Sequence, residues 1–223
     1  MNKPVVVITG ATGATGQSAS HAFARQGASL ALLSQSSAKL EALIAKLNLP
    51  ETRVLTHAAD LRNPEQVASA ARFVLTRFGR ADILLHLVGG WTGGETIAAT
   101  SPAELQTMLE QHVWTTFHLL RAFTPSMIAN GWGRIIIVSS PVAAQPVANL
   151  GAYTAAKAAQ ESLILTLAQE VKNTRITANI LQVRTIDAEG TGRGTSPDEI
   201  VAAMLYLCSD QAEKINGARI PLF

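Results

Sequence analysis

The stretch that most constrains this chain is Val5-Val6-Val7-Ile8-Thr9 running straight into Gly10-Ala11-Thr12-Gly13-Ala14-Thr15-Gly16. An unbroken β-branched run reads as a buried parallel strand. The glycines allow a tight turn and close backbone approach, and a helix is expected from about Gln17 to Gln26. Strand, glycine loop and helix in that order form the first half of a nucleotide-binding βαβ unit. The helix N-terminus of such a unit offers backbone N–H groups to a pyrophosphate.

The same alternation continues along the chain. Strands are expected at Ala28–Ser34, Arg53–Ala58, Asp82–Val88, Arg134–Val138, Arg175–Leu181 and Ala218–Phe223, with helices between them. Capping signals mark three helix starts: Asn63-Pro64-Glu65, Ser101-Pro102-Ala103-Glu104 and Pro197-Asp198-Glu199. The helix beginning near Ser101 is expected to reach Asn130 with a break near Pro125. The pattern predicts one α/β domain over residues 1–223, a Rossmann-type doubly wound parallel sheet between two helix layers. No apolar run is long enough to span a bilayer. The first residues lead into a strand rather than a signal peptide. The net charge of +2 comes from scattered residues, which gives no case for nucleic acid or a membrane surface. A single cysteine, Cys208, excludes an internal disulfide, fits a cytoplasmic location and reads as a buried, inert thiol. No metal site is expected.

A second constellation carries chemistry. The apolar strand Arg134–Val138 delivers Ser139-Ser140, and an alanine-rich helix from about Ala152 to Lys172 carries Tyr153 and Lys157. Four residues apart on a helix, the two side chains share a face. A phenol beside an ammonium is a usable acid/base pair, because the positive neighbour favours the phenolate. A serine hydroxyl adds a neutral donor able to hold a carbonyl oxygen. After the second strand, Ser34-Gln35-Ser36-Ser37 carries no acid to repel a phosphate, and its hydroxyls and amide can donate to one. The loop therefore favours NADP(H) over NAD(H). The Gly89-Gly90-Trp91-Thr92-Gly93-Gly94 loop after strand four is read as a place where backbone approaches a ligand.

With the glycine loop, Asp60, Ser140, Tyr153 and Lys157 in this order, the chain resembles the short-chain dehydrogenase/reductase family over essentially its whole length. In that family the serine precedes the tyrosine by thirteen residues, the spacing of Ser140 rather than Ser139 here. The resemblance implies that Tyr153 exchanges a proton with the substrate oxygen while Ser140 holds that oxygen. Lys157 would lower the Tyr153 pKa and bond the nicotinamide ribose. Gly10, Thr12, Gly13 and Gly16 would line the pyrophosphate, Ser34 and Gln35 the adenosine ribose, Asp60 and Leu61 the adenine. Gly89 would pack near that ribose, and the Ile186 backbone would meet the carboxamide. Trp91, Thr92, Pro141, Val142 and Gln145 would surround a small carbonyl or alcohol substrate. The family also implies a homodimer or homotetramer. Leu119, Leu120, Phe123, Leu163, Leu167 and Ala155, Ala156, Ala158 suit its faces, although core packing explains them equally.

Several positions depart from the family pattern. Ala14 stands where the glycine motif has a glycine. Val88-Gly89-Gly90-Trp91 resembles a subgroup with a Val-Gly-Gly-aromatic loop. His112 occupies the place of an asparagine that helps hold a proton-relaying water. It either serves that relay, adding a pH dependence, or caps local backbone; His86 reads as structural. Val183-Arg184 replaces a Pro-Gly pair, and Ala188 a threonine. The segment 187–196 is a shortened substrate lid with the composition of a mobile loop. The resemblance implies an NAD(P)-dependent oxidoreductase, read as an NADPH-linked ketone or aldehyde reductase or its reverse. The alternative is a weakened member acting as a dinucleotide-binding regulator.

Overall fold

The computed structural model describes residues 3–223; Met1 and Asn2, counted in the domain expected over 1–223, lie outside it. Seven strands form one parallel sheet: β1 Val5–Thr9, β2 Ser29–Ser34, β3 Val54–Ala58, β4 Ile83–His86, β5 Gly133–Ser139, β6 Ile176–Gln182 and β7 Arg219–Pro221. Their order is β3-β2-β1-β4-β5-β6-β7. The helices are α1 Ala14–Arg25, α2 Ser37–Leu47, α3 Pro64–Phe78, α4 Pro102–Leu109, α5 Thr115–Asn130, α6 Gly151–Glu170 and α7 Pro197–Cys208. This is the expected single-domain doubly wound sheet.

Alternate side chains of each strand feed two cores. Val5, Val7, Ala31 and Leu33 pack with Val74, Phe123 and Ile164 of α3, α5 and α6. Val6, Ile8, Leu30 and Leu32 pack with Phe23, Leu40 and Met204 of α1, α2 and α7. A two-residue period on strands buried on both faces produces this division. Leu119, Phe123 and Leu167 are buried in the first core and Ala156 in a smaller cluster with Met108 and Ala152, so core packing rather than an outer face accounts for them. Large apolar side chains exposed on or beside α5 are instead Trp114, Phe117 and Ile128.

The caps form as expected. Asn63 accepts from Glu65 and Gln66 N–H, Ser101 from Glu104 N–H, and Ser196 with Glu199 closes a reciprocal capping box. Several boundaries differ, among them β4, which ends at His86 rather than Val88, and two differences bear on the site. Helix α1 begins at Ala14, three residues before the expected start, because extended Gly13 already serves as its N-cap. Between α4 and α5 the chain makes a π-helical turn, Glu110–Trp114, while Pro125 sits inside an unbroken α5. The irregularity lies at His112 rather than at the proline. Desolvation pushes the Cys208 thiol up to about 12, in keeping with an inert side chain. Among the described residues no helix is long and apolar enough to cross a membrane.

Candidate active site

The sheet order reverses between β1 and β4, and the crevice beyond their carboxyl ends is where open α/β sheets take ligands. Two cavities open there, of about 550 Å³ and about 340 Å³, and both are bordered by Leu87, Val88 and Gly89. The glycine loop forms the floor. Gly10 has φ +68°, and a Cβ there would lie 2.8 Å from the Leu87 carbonyl oxygen. A Cβ on Gly16 would lie 2.2 Å from the Gly10 oxygen. Gly16 borders neither cavity; it lets α1 approach the loop, a packing duty rather than the expected lining one. Gly13 N–H is turned back to the Gly10 oxygen, and Gln17 N–H bonds Gly13. The N–H groups of Ala14, Thr15 and Gly16 are thereby left at the open end of α1.

The larger cavity gathers Gly10, Thr12, Gly13, Ser34, Gln35, Asp60, Leu61 and Gly89, all expected from sequence. The Thr12 and Ser34 hydroxyls share a 2.8 Å hydrogen bond, and Ser36 Oγ caps α2 by accepting from Lys39 N–H. Two cations on the wall were not anticipated, Lys39 and Arg62. Arg62 grips Asp60 through both carboxylate oxygens and holds its pKa below the usual range. Lys39 makes no ion pair among the described residues.

The smaller cavity gathers Tyr153, Lys157, Ser139 and Ile186, with Trp91 and Arg184 on its wall. Ser140, expected to hold the substrate oxygen, does not border it, nor do Thr92, Pro141, Val142 and Gln145. Ser140 lies against Tyr153 and pulls the phenol's pKa down, but burial outweighs it and leaves the phenol above its ordinary value. The Lys157 ammonium is 6.0 Å from the Tyr153 ring centroid. Burial drives Lys157 down to about 7, opposed by Glu161. The expected lowering of Tyr153 by Lys157 is therefore not the balance struck here: burial of the phenol outweighs its polar neighbour. Thr15 and Ser139, on the same wall, each bury a hydroxyl that no group among the described residues satisfies.

The π-helical turn clamps the loop after β4. Gln111 Nε2 donates to the Gly89 oxygen at 2.7 Å, and His112 Nε2 donates to the Gly90 oxygen at 2.9 Å. Because a carbonyl only accepts, His112 carries its proton on Nε2, and Nδ1 remains a buried acceptor without a protein partner. Burial and the nearby Lys157 push His112 down to about 3, so it is neutral. His86 is structural, as expected. Thr115 spends its hydroxyl proton on the Gln111 oxygen, so His86 Nε2 donates to Thr115 and Nδ1 accepts from Thr9. The segment 187–196 is not the loose loop its composition suggested. Asp187 accepts from Thr191 and Gly192 N–H, and Thr195 exchanges backbone bonds with Thr185 and Asp187.

Residues 4–197 match the family model described as short chain dehydrogenase. The chain belongs to that family. An uncharacterized oxidoreductase of Mycobacterium tuberculosis (strain CDC 1551 / Oshkosh) is 30% identical, the alignment covering 97% of this chain and 89% of the relative. D-threitol dehydrogenase of Mycolicibacterium smegmatis is 29% identical, over 96% and 89% of the two chains. The solved structure of 3-ketoacyl-(acyl-carrier-protein) reductase from Brucella melitensis, complexed with NADH, superposes with a TM-score of 0.89 at 26% identity, covering 98% of this chain and 96% of that one.

This short-chain dehydrogenase is thus an NAD(P)-dependent oxidoreductase. Its residues fit a nicotinamide dinucleotide: the turn at Gly10 leaves no room for a Cβ, the first N–H groups of α1 have no capping side chain, and Thr15 Oγ beside them has no partner among the described residues. Sequence reasoning missed Thr15, Lys39, Arg62, Gln111 and a buried partner of Lys157 on the next turn of α6, Gln160.

Proposed function

We propose that this protein reduces a ketone or aldehyde with NADPH, Tyr153 giving the proton, and that it runs the reverse alcohol oxidation under the opposite conditions. The observation carrying this reading is the convergence of Tyr153, Lys157, Ser139 and Ile186 on one cavity, with Ser140 against the phenol. The dinucleotide supplies the hydride when bound. The chain's own residues do the rest. Tyr153, held above its ordinary pKa, is protonated at neutral pH and can donate to a carbonyl oxygen as negative charge develops there. Ser140 holds the same oxygen and fixes its approach. Lys157, titrating near 7, stands ready to pass a proton towards the phenol and to bond the ribose. Ile186 offers its backbone to the carboxamide end, and Arg184 and Thr185 beside it complete that wall of the cavity.

NADPH is favoured over NADH by the absence of an acid among Ser34, Gln35 and Ser36, and by Lys39 on the same wall. A phosphate on the ribose would add two acceptor-rich charges within reach of that lysine. The setting is a reducing cytoplasm, and the assembly a homodimer or homotetramer that uses the α5 side carrying Trp114 and Phe117. Titration with NADPH and NADH, followed by NADPH oxidation against a panel of carbonyl compounds, tests the reading. Saturable NADPH binding and turnover lost in Tyr153→Phe are expected. Absence of binding to either nucleotide would overturn it.

A further inference from the structure

We propose that Gln160 is a positioning residue for Lys157, its side-chain amide fixing the direction of the lysine amine and coupling it to the π-helical turn. This rests on the reading of Lys157 as part of the proton and ribose site. Gln160 lies three residues after Lys157 on α6 and is 1% exposed. Its Oε1 accepts from Lys157 Nζ at 2.9 Å, and its Nε2 donates to Thr116 Oγ1 at 2.8 Å. Thr116 has one hydroxyl proton and gives it to the His112 carbonyl oxygen at 2.6 Å. Thr116 can therefore only accept from Gln160, and the chain of donors has a single sense.

Packing alone does not call for an amide here. A position facing the sheet from α6 is ordinarily apolar, and a buried amide is costly unless both of its ends are satisfied. Both ends are. The lysine amine also donates to the Val138 carbonyl oxygen of β5 at 3.0 Å. An ammonium has three N–H donors; with two committed to Val138 and Gln160, the third is turned to the cavity that Lys157 borders. A neutral amine keeps the same two bonds and presents its lone pair in that direction. The pair of acceptors thus holds one geometry through a change of protonation state.

The titratable groups around the amine are few. His86 approaches from β4 and His112 from the π-helical turn, while Tyr153 and Glu161 lie on α6 itself. Glu161 is engaged by Gln182 of β6 and Arg219 of β7. The carboxyl end of β5 and the residue after it contribute only neutral groups, Val138, Ser139 and Ser140. Both histidines are neutral, and burial leaves Lys157 near 7. In that setting the Gln160 oxygen, directed at Nζ, favours the charged form.

The test is a pH titration of lysine ¹³Cε resonances in the whole protein, with Lys157→Met to assign the signal, together with kcat and KM for a reduced carbonyl. In Gln160→Met the Lys157 midpoint is expected to fall by about one to two pH units, the worth of a hydrogen bond to a charged group. The kcat should fall about tenfold, with KM little changed. Gln160→Glu, which returns an acceptor and adds charge, should raise the midpoint above that of the parent. Thr116→Val, which removes the next link, should lower it by less. Because the resonance titrates without turnover, a midpoint that moves while no carbonyl is reduced supports the positioning and counts only against the functional reading. A folded Gln160→Met with midpoint and kcat unmoved would overturn the proposal. Should Gln160→Met not fold, an unmoved midpoint in both Gln160→Glu and Thr116→Val would do the same.

Discussion

The His112 imidazole meets the Tyr153 ring edge-on, centroids 5.6 Å apart and planes at 69°, while its Nε2–H is tied to the Gly90 carbonyl. The ring thus joins the phenol to the loop after β4 in one tautomer. Its pKa of about 3 means that it changes no charge across the pH range where such an enzyme works. The extra pH dependence expected of a histidine in an asparagine's place is removed by burial. We expect His112→Asn to leave the shape of the kcat/KM profile unchanged between about pH 5.5 and about pH 8, the range in which an ordinary histidine changes charge. A lost or new inflection near pH 6.5, the ordinary histidine value, would contradict this.

Tyr153→Phe removes the hydroxyl and keeps the ring that packs on His112. Turnover should fall by about 10²–10⁴-fold, the usual contribution of a positioned general acid. Affinity for NADPH, measured by fluorescence titration, should stay within about threefold, because most of the cradle lies on the glycine loop and β2.

Lys39 provides the clearest handle on cofactor choice. Lys39→Ala should weaken NADPH by about three- to tenfold, in the range of an exposed charged hydrogen bond. NADH, which lacks the ribose phosphate, should be unaffected. Calorimetric titration with both nucleotides reads the ratio directly, and equal losses for the two would exclude contact between Lys39 and the phosphate.

Acid should unfold this protein through its buried imidazoles. His86 is held down to about 3 by burial, with Lys157 and His112 adding to the effect. Between about pH 6.5 and 3 the unfolded chain takes up a proton that native His86 refuses. Stability is therefore full above about pH 6.5 and is lost as pH falls towards 3. His112 acts in the same sense. His86→Asn should lower Tm at pH 8, since Thr9 and Thr115 lose a partner, yet shrink the fall in Tm between pH 8 and 4. Thermal unfolding followed by circular dichroism at the two pH values checks this; an undiminished fall would assign the acid sensitivity elsewhere.

Gly16→Ala places a methyl carbon 2.2 Å from the Gly10 oxygen, against backbone that cannot swing aside. The loop must shift, so nucleotide affinity should drop at least tenfold, with a stability loss of about 1–3 kcal/mol typical of overpacking. Gly94→Ala is the control for added bulk, as nothing lies within 4 Å of its Cβ, although its φ of +115° carries backbone strain of its own. Parallel unfolding and binding curves for the two variants separate strain from cradle damage.

The strands, the glycine turn and the placing of Tyr153 and Lys157 on one cavity wall were legible because each rests on a local rule: apolar runs, turn chemistry and helical spacing. Ser140 was singled out by the family's spacing instead, and the serine that borders the cavity is Ser139. The π-helical turn was not, because one inserted residue leaves no compositional mark, and Pro125 drew attention to the wrong place. Gln160 was overlooked although its position announced it. It stands three residues after Lys157 and seven after Tyr153, on the helical face they share. Lys39 was missed because an exposed lysine in a first helical turn reads as ordinary surface. The direction of the Tyr153 pKa could not be read from spacing, since burial, a property of the whole fold, outweighs the neighbouring serine. The alanines and leucines thought to suit subunit faces are indistinguishable in sequence from the core residues that several of them are.

Glu161 is 1% exposed, and its carboxylate is held by Gln182 of β6 and, at 2.5 Å, by Arg219 of β7. Among the described residues Glu161 is the one charged group that opposes the desolvation of Lys157, and both of its own partners come from strands. The electrical setting of the lysine on α6 is therefore tied to the pairing of β7 with β6 at the edge of the sheet.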